Sequence, residues 1–310
     1  MINRSRMNME DSVETLQAMR HQEEIGYTTR DFLQQHEDDE NQTRPRCCPI
    51  HLDIDIDCRF KMCKWCYDIC KFCKYDRETV EIAMSYLDRF VSTEFGAAAL
   101  QDRNIYQLAS MTTIYTAIKI HEREALSPRV VSQLSRGMYT AKQIEDMEAI
   151  ILFALEWRMH PPTAMSFVQE FLKLLPQDVL SEPARETLLE LTAFQAELSV
   201  SDYAFIATPA STIAYCSFMN ALDSMGIVFN SNNDAKLSQI GFILAESIGL
   251  DSRSDQVLDA QTSLYAAVES QHKASSPSSV ATEDPVRKHG YSRHVSFEES
   301  PRMVSSQCLK

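Results

Sequence analysis

CRFKMCKWCYDICKFCKYDRETVEIAMSYLDRFVS, residues 58–92, reads as two successive helices. In the first, Cys63, Cys66, Cys70 and Cys73 recur at steps of three, four and three, which keeps them on one helical face. Arg59, one turn before Cys63, shares that face. The second helix opens with an acidic turn around Glu78 and then carries Val80, Ala83, Met84, Leu87 and Val91 as its apolar stripe. Asp88 lies on that stripe, where a charge must find a partner or stay at the core's edge. Each helix therefore offers the other one charge of opposite sign. An Arg59–Asp88 ion pair that fixes their crossing is the expectation.

Arg59, Trp65 and Tyr86-Leu87-Asp88-Arg89-Phe90 resemble the start of the cyclin box, the five-helix unit of cyclins. Gln107-Leu108, Ala117-Ile118-Lys119 and Met147-Glu148 follow in the family's order and spacing. The resemblance implies a structural Arg59–Asp88 pair, a core Leu108, and Lys119 and Glu148 gripping a partner kinase. It also maps a shallow docking patch for Arg-x-Leu motifs onto Cys58, Lys61, Met62, Trp65, Asp68 and Gln107. Lys61 stands there in place of an apolar residue and Lys64 in place of an acid, so docking is expected to be weak.

The 310 residues allow about two domains at roughly 100–200 residues each. Only seven glycines occur, scattered, so there is neither GxGxxG nor GxxxxGK[ST] to cradle a phosphate. Scarce glycine with long 3.6-period stretches predicts an all-α protein. A formal net charge of −14 repels nucleic acid phosphates and anionic lipid, and favours a partner with basic or neutral surfaces. Met1 to Asp11 is polar and reads as no signal peptide. The uncharged run from Tyr203 to Leu222 reaches the ~20 residues that span a bilayer. Thr208, Pro209, Ser211, Thr212, Ser217 and Asn220 make it too polar for lipid, and it reads as a helix enclosed by protein. A soluble, intracellular chain, in nucleus and cytoplasm, is the expectation.

Seven of the nine cysteines fall between residues 47 and 73, with His51 among them. Cys63-x-x-Cys66 and Cys70-x-x-Cys73 have the spacing of zinc ligands. On one helix, however, the four span about 15 Å, too far for a single tetrahedral ion. Buried apolar packing is expected for them. Cys47, Cys48 and His51 are the weaker metal alternative, and no cofactor is anticipated. His51 to Asp57 mimics an EF-hand start, but Cys58 and Lys64 occupy the positions that need Gly and Glu.

Outward from the core stretch, a short helix capped by Asp11 with Glu14 in a capping box presents Val13, Leu16 and Met19. Tyr27 to Leu33 resembles the segment before the cyclin box. Arg30-x-x-Leu33 is half of a destruction box and is expected to be helical. Glu37 to Gln42 reads as an acidic linker, and Asp57 as the N-cap of the organising helix. Beyond Ser92, helices are expected over Ile105–Ile118, from Ser127-Pro128, and from Thr140 to Trp157 with Ile144, Met147, Ala149, Ile150, Ile151, Leu152 and Leu155 inward. Pro161-Pro162 then breaks the chain. Helices over Thr163–Leu174, Ser181–Leu198, Thr208–Leu222, Asp234–Ile248 and Gln256–Glu269 repeat the plan. Thr112-Thr113-Ile114-Tyr115 matches Ser211-Thr212-Ile213-Ala214 at an offset of 99 residues, as an internal duplication would.

The expected organisation is a lead-in over 1–57, tandem five-helix cyclin folds over 58–159 and 160–270, and a disordered Ser-rich tail over 271–310. In the tail, Ser276 and Ser300 precede proline and Ser296 follows Arg293 at a basophilic spacing; all three are phosphorylation candidates. No nucleophile–base pair points to an enzyme. The resemblance implies a non-catalytic subunit that activates a cyclin-dependent kinase, with wording close to D-type or other G1-like cyclins. The alternatives are a transcriptional cyclin and a TFIIB-like factor, whose DNA binding would need a basic face.

Overall fold

The computed structural model describes residues 2–33, 52–175, 180–225 and 233–275. These form twelve α-helices and one short 3-10 turn, with no strand among the described residues. The protein is all-α. Helix α1 runs from Ile2 to Gly26. It is much longer than the capped segment expected at Asp11, because no Gly or Pro interrupts residues 2–25. Asp11 lies inside it and its carbonyl accepts the Thr15 hydroxyl.

Helix α2, Ile56–Cys73, is capped by Asp55, whose carboxylate accepts the Cys58 N–H at 2.7 Å. The expected cap, Asp57, sits instead in the first turn, where its charge still meets the positive end of the helix. Cys63, Cys66 and Cys70 are buried, with Cys58 and Cys73 half-buried. Burial pushes the Cys63 thiol up to about 11 and the Cys70 thiol up to about 12, so both pack as protonated, apolar groups. Cys47, Cys48 and His51 lie outside the described residues, as does the acidic linker.

Helix α3, Glu78–Val91, buries almost every residue after its first turn. The chain then doubles back through Gly96, where a Cβ would stand 2.1 Å from the Phe90 carbonyl oxygen. Neither backbone can yield easily there. Gly96→Ala is expected to cost about 1–3 kcal/mol as overpacking, read as a lowered melting temperature with unchanged helical circular dichroism; an unshifted melt would show that the turn relaxes freely. Next comes α4, Ala97–Gln101, a short helix.

Helix α5, Arg103–His121, is buried continuously from Ala109 to Ile118, as its uncharged sequence requires. Helix α6, Pro128–Leu134, starts at the Ser127 cap, and α7, Ala141–Ala154, at a Thr140–Gln143 capping box. Helix α7 ends before Trp157, and it buries only Ile144, Met147, Glu148 and Ile151. Ala149 and Ile150, expected inward, are exposed, since a helix packed along one side covers one face.

Helices α8 (Ala164–Leu174), α9 (Glu182–Ser201), α10 (Ala210–Ser224), α11 (Asn233–Ser247) and α12 (Asp255–Ser275) follow. Every residue of α10 from Ser211 to Leu222 is buried, and the Ser217 hydroxyl is satisfied within the helix, bonding the Ile213 carbonyl at 2.7 Å. Among the described residues no helix is long and apolar enough to cross a membrane. Helix α12 runs past residue 270; Ser276, Ser296 and Ser300 lie outside the described residues.

Two apolar clusters result. One gathers α2 to α7 with Phe32, Ile54 and Tyr203. The other gathers α8 to α12 and takes Leu16 from α1, with Val13 and Met19 beside it. Arg30 to Leu33 is extended and then turned rather than helical, because Phe32 packs edge-on to the Tyr203 ring and the Leu33 N–H bonds the Tyr203 hydroxyl.

Candidate partner-binding surface

Arg59 and Asp88 meet at the crossing of α2 and α3. Arg59 Nε and Nη2 donate to the two Asp88 oxygens at 3.0 and 2.7 Å, a bidentate pair with both side chains almost fully buried. Nη1 donates to the Val200 carbonyl at 2.9 Å, so Arg59 also fastens α9. Burial opposes the guanidinium's charge, but the Asp88 carboxylate more than offsets it and the Arg59 pKa is raised. Leu108 is half-buried against the same cluster.

Helices α5 and α7 run side by side in the same direction. At one end the Tyr139 hydroxyl bonds the Asn104 carbonyl at 2.8 Å and the Gln107 amide oxygen at 3.2 Å. Further along, Lys119 Nζ reaches both Glu148 oxygens, at 3.1 and 3.0 Å, and the Thr116 hydroxyl adds a third bond to Glu148 at 3.3 Å. The Lys119 side chain is 48% exposed and that of Glu148 11%. In the isolated chain the two therefore bond each other at the rim of α5, with the ammonium facing solvent.

The same two helices and the turn after α7 leave Ile120, Ile150, Phe153 and Trp157 exposed, the last two at 65% and 71%. Phe95 stacks edge-on against Phe153 with ring centroids 5.3 Å apart. Period-3.6 reasoning assigned Ile150 to the core and gave no role to Phe153 or Trp157. Trp157 follows a helix end whose 157-to-152 hydrogen bond needs a left-handed residue at 156. Glu156 and Trp157 both adopt positive φ, +52° and +59°, each costing about 1–3 kcal/mol in a residue with a Cβ.

On α2, Met62 and Trp65 are half-buried against the first cluster, while Asp68 is exposed and Lys61 pairs with Asp57 at 2.6 Å. Gln107 is half-buried and its oxygen is already engaged by Tyr139.

The junction between the two clusters is built from carboxylates aimed at helix N-termini. Glu78 accepts the Thr163 hydroxyl and Glu81 accepts the Ala164 N–H at 2.8 Å, both at the start of α8. Glu23 of α1 accepts the Ser211 N–H and hydroxyl at 3.0 and 2.6 Å at the start of α10. Glu81 and Glu23 border a cavity of about 200 Å³ that also touches Arg20, Arg59 and Asp88. Burial pushes the Glu81 carboxyl up to about 8, with Glu78 and Glu23 adding repulsion and the Ala164 N–H opposing. An acid whose folded pKa is raised stabilises below its unfolded value, near 4.5, and that contribution is lost as pH rises through the folded one. Glu81→Gln is therefore expected to melt above the parent at pH 8.5 and to converge with it near pH 4.5; parallel curves would refute the shift.

Residues 14–160 match the family described as "Cyclin, N-terminal domain". The chain is similar to the G1/S-specific cyclin-D1 of Mus musculus, 23% identical over 193 residues that cover 60% of this chain and 63% of the relative. Xenopus laevis G1/S-specific cyclin-D1 is 25% identical over 217 residues, covering 68% and 72%. The putative cyclin-A3-1 of Arabidopsis thaliana is 27% identical over 165 residues, covering 53% and 44%. The matched segment thus spans about half to two-thirds of most of these relatives. Among solved structures, a viral cyclin from herpesvirus saimiri aligns at a TM-score of 0.49 and 16% identity, over 70% of this chain and 89% of that one.

Proposed function

We propose that this chain belongs to the cyclin family, binds a cyclin-dependent kinase through α5 and α7 and holds that kinase in its active state. The match of residues 14–160 to the cyclin N-terminal family supports a cyclin regulatory role; the kinase and the surface are the finer reading. What carries it is the Lys119–Glu148 pair on two helices that, with the turn after α7, leave Ile120, Ile150, Phe153 and Trp157 bare. Large apolar side chains cost free energy in water unless a partner covers them, and a charged pair at their edge supplies orientation. As a regulatory subunit it needs no chemistry of its own. Differential affinity for the kinase conformer with its Lys–Glu pair formed and its activation loop open is enough.

The test is a pull-down with the full chain, identification of the captured kinase by mass spectrometry, and assay of that purified kinase with and without the chain. Capture with a rise in activity supports the reading. Absence of any kinase, or a mobility shift of duplex DNA in its place, overturns it.

A further inference from the structure

Arg89 is buried, yet its guanidinium donates to backbone carbonyls: Ser85 at 3.3 Å, Gly26 at 3.2 Å and Arg158 at 2.8 Å. Its guanidinium also lies over the Tyr27 ring, 4.7 Å from the centroid. Burial pushes its pKa down to about 10, so it stays charged at neutral pH. Two of those bonds tie together chain ends that are far apart in sequence. Gly26 closes α1, and Arg158 follows Trp157.

A second cation repeats the tie in reverse, since Arg158 Nη1 donates to the Ile25 carbonyl at 2.9 Å. Two guanidiniums thus meet the last carbonyls of α1, where the helix carries partial negative charge. The residues beyond are held too. Tyr86 Oη donates to the Met159 carbonyl, His121 Nε2 lies 3.0 Å from that oxygen, and the His160 N–H bonds the Tyr27 hydroxyl. Left-handed backbone at two residues with side chains persists only where the surroundings over-determine it. Here the surroundings are α1, Arg89 and the end of α5. Trp157 itself is 71% exposed and adds little to the core, so fixing it serves something outside this chain.

We propose that Arg89 is a positioning residue which, with the C-terminal end of α1, clamps residues 156–160 and thereby holds Trp157 in its partner-facing position. Helix α1, which packs on the second cluster, thus sets the affinity of a surface on the first. This rests on the reading of that surface as kinase-facing.

The chain contains two tryptophans, and 5-fluorotryptophan labelling gives each a fluorine resonance, assigned with Trp157→Phe. Trp65 on α2 serves as the internal control. Arg89→Lys keeps the charge but cannot bridge Gly26 and Arg158. It is expected to shift and sharpen the Trp157 resonance, leave that of Trp65 in place, and weaken binding to the captured kinase about tenfold, or about 1.4 kcal/mol. Arg158→Ala, at a half-exposed side chain, removes the reverse tie without threatening the core and is expected to move the same resonance in the same direction. If Arg89→Lys loses both resonances to unfolding, Arg158→Ala decides. A Trp157 resonance that stays put overturns the clamp, as does one that moves while kinase affinity does not change. Full affinity in Trp157→Ala would overturn the kinase-facing surface itself, and the inference with it.

Discussion

Arg59→Ala is expected to lower the stability of the first cluster by about 3–5 kcal/mol, the cost of stranding one charge of a buried pair. Both side chains are nearly inaccessible, and the pair is bidentate at 3.0 and 2.7 Å. The substitution also frees the Val200 carbonyl, so α2 and α9 lose a direct tie. At about 2–4 °C per kcal/mol for a chain of 150–250 residues, the melting temperature should fall by about 10 °C. Asp88→Ala should cost a similar amount, and the double substitution less than the sum. A melt unchanged in Arg59→Ala would reduce the pair to the 0–1 kcal/mol or so of a solvated one.

Lys119→Ala combined with Glu148→Ala is expected to abolish kinase activation while the helical circular dichroism barely changes. The pair sits at the rim, with the lysine half in water, so its contribution to folding is about 0–1 kcal/mol. Toward a kinase, each charge would offer hydrogen bonds worth about 1.5–3 kcal/mol. Losing both should weaken binding a hundredfold or more, taking tenfold per 1.4 kcal/mol or so. The internal pairing means that the partner must compete for, or add to, bonds already made. The single variants should therefore be unequal. Lys119→Ala leaves Glu148 with only the Thr116 hydroxyl at 3.3 Å, whereas Glu148→Ala leaves an ammonium that water solvates readily. Activation retained by the double variant would remove these two residues from the surface.

The sequence by itself determined the helices and the order in which they come. Glycine scarcity, capping residues such as Ser127, Thr140 and Thr163, and the proline break at Pro161-Pro162 are local signals, and local physics answers them locally. The uncharged runs in α5 and α10 announced enclosure on all sides, because no face of either carries a charge that must reach water. The Arg59–Asp88 geometry was legible for the same reason: a charge on an apolar stripe has few places to go. The length of α1, the residue that caps α2 and the inward face of α7 were misjudged, since each depends on what lies beyond the window being read.

Where the charges are spent was decided only by the tertiary structure. Glu78 reads as an acid in the first turn of its own helix, yet it and Glu81 meet the start of α8. Arg89 adjoins Asp88 in sequence but holds carbonyls of Gly26 and Arg158. Lys119 and Glu148, 29 residues apart, become one group because α5 and α7 run parallel. A hydrogen bond is specified by distance and direction at once, and for residues on different helices both are set by how the helices cross. Packing of the apolar stripes fixes that crossing. Ile150, Phe153 and Trp157 show the remaining limit: hydrophobic pattern tells which residues avoid water, but not whether the surface that covers them belongs to this chain or to another.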